Sequence, residues 1–385
     1  MRIAIATTGR FHVLDLAREL AALGHQVAFY SIVPRRRALR FGLQASSHRS
    51  LLPWLAPLLV AQRYGGRWVR EAMNPLVLMT VDWLISWRLE RCDAFIGMSG
   101  LCVKSARTAR QRYGAKVFIE RGSRHILSQK QILDDIKRMS PAAQTVPDYA
   151  VKRELASYEL ADVVVVPSRH TEKSFVERGF PTARLFRNSY GVDLSMFTPT
   201  APPSYELPTV IFVGAWSYQK GCDLLVTAVG SLAGHVRLLH VGAVGDAPLP
   251  REDWFEHHDA APQWLLRDWY AQAHLFVLAS RQEGLSLVQA QALACGLPLV
   301  CTDRTGGEDL KDLIADPSWI SVVPHDDSRA FADAISRMLP NALSLTGLRD
   351  LLGTAREQMS WTAYVRRYCL ELERVLADPR SGPVT

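Results

Sequence analysis

Short apolar runs alternate with amphipathic helical patterns through the first half of the chain, stop at a proline-rich connector, and then start again. "RIAIAT" precedes "HVLDLARELAALGH", in which Val13, Leu16, Leu20 and Leu23 fall at helical spacing, and "QVAFYSI" follows. "DAFIGMS", "KVFIER" and "DVVVVPS" read as further buried strands, each set apart by a candidate helix. This alternation predicts a doubly wound parallel sheet, because parallel strands need long crossovers and helical crossovers cover both faces. The composition breaks at "FTPTAPPSYELPT", which carries Pro199, Pro202, Pro203 and Pro208. Beyond it "VIFVGAW", "RLLHVGAV", "LFVLAS", "PLVCTD" and "WISVVP" repeat the rhythm. The pattern predicts one α/β unit over residues 1–198 and a second over 199–355. A helical segment with a loose tail, 356–385, is free to pack back on the first unit. Two open sheets in tandem imply a cleft, and such sheets bind ligands outside the carboxyl ends of their strands.

Hydrophobic residues at 48% and charged residues at 22% exclude disorder for most of the chain. The net charge of +7 would suit nucleic acid, an anionic membrane surface or a phosphorylated substrate. The aromatic residues show no RNA-recognition pattern, so no nucleic-acid partner is expected. Six cysteines, Cys92, Cys102, Cys222, Cys295, Cys301 and Cys369, show no C-x-x-C spacing. They read as reduced, buried thiols of a cytoplasmic protein. "LLPWLAPLLVA" and "PLVLMTVDWLISW" fall short of the ~20 residues a membrane-spanning helix needs.

Three local signals line up in the second half. In "FVGAWSYQKGCDLLVTAV", Gly214 follows a strand and Lys220-Gly221 opens a helix, where backbone N–H groups and a lysine favour an anion; an exposed lysine on an ordinary turn is the plainer reading. In "FRNSYGVDLSMFTP", Asn188, Gly191 and Asp193 are turn residues, and Gly191 would admit a backbone conformation that other residues resist. In "RQEGLSLVQAQALACGLPLV", Glu283-Gly284 falls in the loop after a strand. The helix behind it ends at Gly296, with Pro298 beyond. Glu283 would then face the cleft as an acceptor for ligand hydroxyls, with Gln291 on the helix behind it. A dipole-stabilising carboxylate and a solvent-facing glutamine are the plainer alternatives.

"NSYGVDLSMFTP", "FVGAWSYQKG", "WYAQAH" and "FVLASRQEGLSLVQAQALACGLPLVCTDRTGG" together resemble the C-terminal half of the family 4 retaining glycosyltransferases. The likeness runs over Asp162 to Gly307. It implies the GT-B fold, two Rossmann-like domains facing a central cleft, and transfer of a sugar from a nucleoside diphosphate to an acceptor hydroxyl with retention, without metal or other cofactor. It implies that Lys220 binds the donor diphosphate, that Glu283 faces the donor sugar, and that Gln291 stands where the family holds the ribose with a glutamate. Gly306 and Gly307 match a glycine pair near the nucleotide. Gly214, Arg281, Gly284, Leu285, Ser286 and Leu287 complete the expected donor surface. Two departures stand out: Gln291 is neutral, and Ala215 replaces an arginine that pairs with the lysine in many relatives, a charge that Arg281 or Arg304 would have to restore.

In the first half, "KVFIERGSRHI" puts Glu120, Arg121, Ser123 and His125 just past a strand, within reach of the cleft. They are expected on the acceptor side, with His125 a candidate for catalysis beside Glu283 and Lys220, or else a structural histidine bonded to backbone. "TTGRFH" places Gly9 and Arg10 at the first strand's turn and lacks the full G-x-G-x-x-G of a dinucleotide site. Arg35, Arg36, Arg37 and Arg40 precede the apolar stretch containing Trp54. This would suit peripheral contact with the inner membrane face and a glycan or lipid-linked acceptor, or equally a solvated arginine face. A non-catalytic sugar-nucleotide binder and a GT-B-like epimerase are the rival functions.

Overall fold

A computed structural model describes residues 1–64, 66–204 and 207–378 of the chain. The first sheet comprises β1 (Arg2–Ala6), β2 (Gln26–Ser31), β3 (His48–Ser50), β4 (Ala94–Met98), β5 (Lys116–Glu120), β6 (Val163–Val166) and β7 (Leu185–Arg187), in the order β3-β2-β1-β4-β5-β6-β7. The second comprises β8 (Thr209–Val213), β9 (Arg237–Val241), β10 (Phe255–His258), β11 (Leu275–Leu278), β12 (Leu299–Thr302) and β13 (Ile320–Val323), in the order β10-β9-β8-β11-β12-β13. The strand pairs are parallel, with Ile3 opposite Val27 and Ala94, and Val210 opposite Leu238 and Leu275. Central strands such as Val163–Val166 and Leu275–Leu278 are buried at every residue, as helices on both faces require. Loops after β1, β4, β5 and β11 share one cavity, so the strand ends of the two sheets face each other in the GT-B arrangement.

The strands expected from sequence all form. β3 and β7, three residues each, and β10, with its polar "EHH", are additional, being too short or too polar for the apolar signal. Tyr205 and Glu206 of the connector and the tail "PRSGPVT" lie outside the described residues. Thr200 is already tied to the second body: its N–H donates to Cys295 O at 3.0 Å, and its carbonyl accepts from Arg349 Nε at 3.1 Å. "LLPWLAPLLVA" lies in the helix Leu52–Tyr64 and "PLVLMTVDWLISW" in the helix Arg67–Arg88, and the two pack together. No helix among the described residues is long and apolar enough to cross a membrane.

The last helix, Trp361–Ala377, crosses back to the first body and packs on the first helix, Phe11–Ala22. Asn188, one of the turn residues in sequence, is 1% exposed and clamps it, donating to Tyr364 O at 3.1 Å and accepting from Arg367 Nε at 2.8 Å. Beside this clamp Val192 bridges Ser360, and Val192 N–H donates to Met359 O. Gly191 is not in the left-handed region. It is needed instead because a Cβ there would lie 2.5 Å from the Trp361 backbone.

The backbone at Trp361 cannot retreat without releasing this docking. Gly191→Ala is therefore expected to cost about 1–3 kcal/mol, the usual range for overpacking. Thermal and urea unfolding should show a lowered midpoint, and an unchanged midpoint would mean that the last helix is not held here.

Candidate functional site

The cavity between the domains has a volume of about 690 Å³. From the second domain it is walled by Glu283, Leu285, Ser286, Leu287, Val288 and Gln291, the β11 loop and first turns of the helix Leu287–Ala294. Because β8 and β11 are neighbours, the loops after them meet, and Lys220 forms an ion pair with Glu283 Oε1, which also accepts from Ser280 Oγ at 3.0 Å. Lys220 lies in a turn that ends at Gly221, where φ is +67° and a Cβ would lie 2.0 Å from Ala279 O. Lys220 does not itself line the cavity; it stands against the carboxylate that does.

The β11 loop is also where the domains touch. A Cβ on Gly284 would lie 2.0 Å from Gly122 O, so only glycine permits this approach. Ser168 Oγ donates to Gly284 O at 2.8 Å, and the His170 ring bonds Glu283 O at 3.1 Å. Burial pushes the His170 pKa down to about 4, so near neutral pH Nε2–H is the donor of a neutral ring. Gln282 bonds Ser123 Oγ across the same seam.

Gln291 is buried and reaches the cavity, but its Oε1 accepts from the Tyr270 hydroxyl at 3.2 Å. Desolvation raises the Tyr270 pKa well above its ordinary value, keeping it a neutral donor. The amide oxygen expected to accept from ligand is thus engaged from behind, and the NH2 is the group presented forward. Arg281, expected to restore a missing cation, is spent inside the domain. It makes two bonds to Asp223 at 2.6 and 2.8 Å, one to Asp326 at 2.6 Å and one to Tyr218 O at 2.7 Å. Gly214 lies at the end of β8 with φ +151°, its carbonyl bonded to the buried His240 ring at 2.9 Å, outside the cavity. Ala215 borders a different cavity, shared with Leu133 and Ile136. Gly306 and Gly307 start a short helix at the rim of a third, which Arg304 also lines. A Cβ on either would strike Leu285 or Cys301 at 2.4 and 2.3 Å, so both serve close packing.

On the first-domain wall, Arg10 lines the cavity with its guanidinium 3.7 Å from the Phe41 ring, and it reaches Gln263 of the other domain. Gly9 shapes the same turn: its N–H donates to Thr7 Oγ1 at 3.2 Å, and a Cβ would press on Phe11 at 2.9 Å. Phe11 itself has φ +35° and is 54% exposed, a strained position of the kind that clusters at ligand sites. Arg121 lines the cavity, yet its guanidinium is committed to Glu154 at 2.9 Å and to Arg124 O at 2.8 Å. Glu120, expected to meet the acceptor, lies beneath the wall, held by His12 and Tyr368. His125 is not a cavity group. It caps the helix Ile126–Met139 by accepting from Leu127 N–H, packs on Tyr158 and Phe175, and has its pKa pushed down to about 4, first by burial and then by Arg121.

His12, Asp15, Glu154, Tyr190, Gln263 and Trp361 line the cavity without having been singled out in sequence. Of these His12, in "TTGRFH", and Tyr190, in "NSYGVDLSMFTP", sat beside recognised turns; the others arrive from elements whose meeting no local pattern encodes. All six thiols are free, and among the described residues no three His, Cys, Asp or Glu side chains group so as to hold a metal ion.

Residues 207–341, the body that carries Lys220, Glu283 and Gln291, match the family described as Glycosyl transferases group 1. Over 228 residues the chain is 28% identical to D-inositol 3-phosphate glycosyltransferase of Xylanimonas cellulosilytica, covering 52% of this chain and 54% of that protein. The chain spans about half the length of the first curated relatives it matches. In fold it is similar to sucrose-phosphate synthase from Thermosynechococcus elongatus, with a TM-score of 0.67 at 19% identity over 98% of this chain and 99% of that one. It is also similar to Anabaena HepE in complex with UDP, with a TM-score of 0.62 at 13% identity over 97% and 100%.

The Arg281 network makes an outcome that separates packing from ligand binding. Arg281→Gln leaves Asp223 unpaired, and with both partner carboxylates partly exposed the expected cost is about 1–2 kcal/mol. Differential scanning fluorimetry should show a lower midpoint while nucleotide affinity in the folded variant changes little. A tenfold affinity loss at unchanged stability would return Arg281 to the ligand.

Proposed function

We propose, for a chain that carries the Glycosyl transferases group 1 domain, that it transfers a sugar from a nucleoside diphosphate to an acceptor hydroxyl in the cleft, with retention of configuration and without a dedicated metal ion or other cofactor. The observation that carries this reading is the Lys220–Glu283 pair at the ends of adjacent strands, beside a helix start that opens on the cavity. A diphosphate leaving group gains charge as its bond to the sugar breaks, and a lysine with helix-start amides stabilises that charge in place. Glu283 pairs with Lys220 until phosphate competes for the ammonium. Its carboxylate is then free to accept from sugar hydroxyls. The UDP bound to HepE and the glycosyltransferase relatives support a nucleotide-sugar donor.

The acceptor side favours an amphiphilic or lipid-linked substrate, brought in at an anionic bilayer on the inner membrane face. The observation behind this is the face of the hairpin Leu52–Tyr64 and Arg67–Arg88. Val77, Val81, Leu84 and Ile85 turn into the core, while Leu76, Met79, Trp83 and Trp87 stand exposed on the other side. Trp83 stacks on Trp87 at 6.0 Å, Trp54 meets Trp87 edge-on at 6.1 Å, and Arg88 lies 5.7 Å from the Trp54 ring. Exposed tryptophans flanked by arginine, on a chain of net charge +7, suit the headgroup region of an anionic bilayer. Of the arginine run, Arg40 lies over Trp264 of the second domain at 4.3 Å.

Four outcomes test the reading. With a panel of UDP-, GDP- and ADP-sugars, one donor should release nucleoside diphosphate in an acceptor-dependent way, where a binding module or an epimerase releases none. Lys220→Ala should raise donor KM and cut turnover about 10- to 100-fold, the loss of one charge-stabilising contact. Glu283→Gln should cut turnover far more than nucleoside diphosphate affinity by calorimetry, and equal losses would put Glu283 on the nucleotide. Separately, Trp83→Ser with Trp87→Ser should lower co-sedimentation with phosphatidylglycerol-containing vesicles several-fold at unchanged thermal midpoint. Equal sedimentation would assign the face to another partner.

A further inference from the structure

A separate cavity of about 470 Å³ lies in the domain seam, between Arg124, Arg169 and Lys173 of the first domain and Arg304, Asp309 and His325 of the second. It shares no lining residue with the larger cavity; His170 of its wall bonds the carbonyl of Glu283, which lines the other. The acids around it are already engaged. Asp309, 4% exposed, accepts from Arg169 N–H with both oxygens at 3.0 Å. Asp303 accepts from His325 N–H at 3.1 Å and meets its Nδ1 at 3.0 Å, and Glu308 pairs with Lys311 at 3.5 Å. The Arg169 guanidinium is likewise taken, by Asp312. Glu177 stands 3.9 Å from both Arg124 and Lys173 and is half exposed.

Two guanidiniums are left over. Arg124 has 15% of its side chain exposed, that 3.9 Å contact with Glu177 is its one ion pair among the described residues, and its buried Nε has no hydrogen-bond partner. Arg304 makes no ion pair among the described residues; its Nη1 reaches Arg281 O at 3.5 Å, the limit of a hydrogen bond. Burial lowers the pKa of both, and for Arg124 the charge of Arg304 comes next. Two partly buried like charges, brought from opposite domains to one cavity with donors to spare, cost the fold stability until an anion lies between them.

We propose that this seam cavity is an anion site, separate from the transfer cleft, that holds a small phosphate-bearing molecule between Arg124 of the first domain and Arg304 of the second. A carboxylate has two oxygens and satisfies one guanidinium fork, whereas a phosphate ester or a diphosphate has enough for two. The volume lies in the range of small-molecule sites, about 300–1,000 Å³. Occupancy bears on the larger cavity through the chain itself. Arg124 follows Gly122 and Ser123, which line that cavity, and Arg304 precedes Thr305, whose carbonyl accepts from Ser286 N–H at 3.2 Å where the helix Leu287–Ala294 begins. An anion held by both arginines ties together the loops that carry both walls of the cleft, and so stabilises the contact between the domains.

The test needs no sugar donor and stands or falls apart from the transferase reading. Calorimetry on the full chain at fixed ionic strength titrates pyrophosphate and glycerol 3-phosphate, a free diphosphate and a phosphate ester. At least one should bind, and Lys220→Ala should retain that binding. Arg124→Gln and Arg304→Gln should each weaken it about tenfold or more, the loss of a charged hydrogen bond, and Arg304→Lys should keep part of it. Without anion, the thermal midpoints of the two glutamine variants should match or exceed that of wild type, because a like charge has gone; a purely structural arginine would lower them. With the anion added, the wild-type midpoint should rise and those of the variants should rise much less. The arginines belong to different domains, so if one variant unfolds the other carries the test. The proposal is overturned if wild type binds neither probe, or if a folded arginine variant binds as wild type does. Loss of binding in Lys220→Ala, with the arginine variants unaffected, places the anion in the transfer cleft and overturns it as well.

Discussion

A single buried carboxylate, Glu120, organises the first-domain side of the cleft. It ends the central strand β5, binds the first helix through His12 and the last helix through Tyr368, and leaves no oxygen unpaired. Its desolvation is offset only while both helices are docked, so the return of the last helix to the first domain and the setting of the cavity wall are one event. The Asn188 clamp and the bare backbone at Gly191 hold the same crossing from the other side. The chain thereby passes from the first body to the second and back, and the two domains are joined by two strands of chain rather than one.

Opposite this wall the second domain offers a loop that does three things within a few residues. Gly284 lets its backbone touch Gly122, Gln282 bonds Ser123, and Glu283 turns its carboxylate into the cavity against Lys220. The surface that would hold a donor sugar is thus the surface that sets the spacing between domains. A change in how Glu283 is charged or paired would be felt at the seam, through the His170 and Ser168 bonds to the same loop.

Several residue types were read correctly as polar groups near a strand end and yet serve the interior. Arg281 neutralises Asp223 and Asp326, Arg121 holds Glu154 and the Arg124 carbonyl, and His125 caps a helix. In each case the partner lies in an element far along the chain or in the next turn of backbone, and a guanidinium satisfied by carboxylates has little left for a ligand. Gln291 shows the same effect in reverse. It reaches the cavity as its helical spacing from Glu283 suggested, but Tyr270 beneath it decides which end of the amide points forward.

What the sequence by itself determined is the double α/β rhythm, the two bodies, and the set Lys220, Glu283 and Gln291 in the second of them. These follow from periodicity, from glycines at forced turns and from motifs that are contiguous in the chain, all of which are local properties. The strands β3, β7 and β10 were not legible, because three residues or a polar edge carry no apolar period. Tertiary structure alone decided that Lys220 pairs with Glu283, since that depends on β8 and β11 being neighbours in a sheet whose order is not the chain order. It alone decided that His12, Glu120 and Tyr368 form one unit, separated as they are by 108 and 248 positions along the chain. Burial turned Glu120 from a candidate ligand group into an interior support of the cavity wall, and burial is a property of the folded whole rather than of any stretch within it.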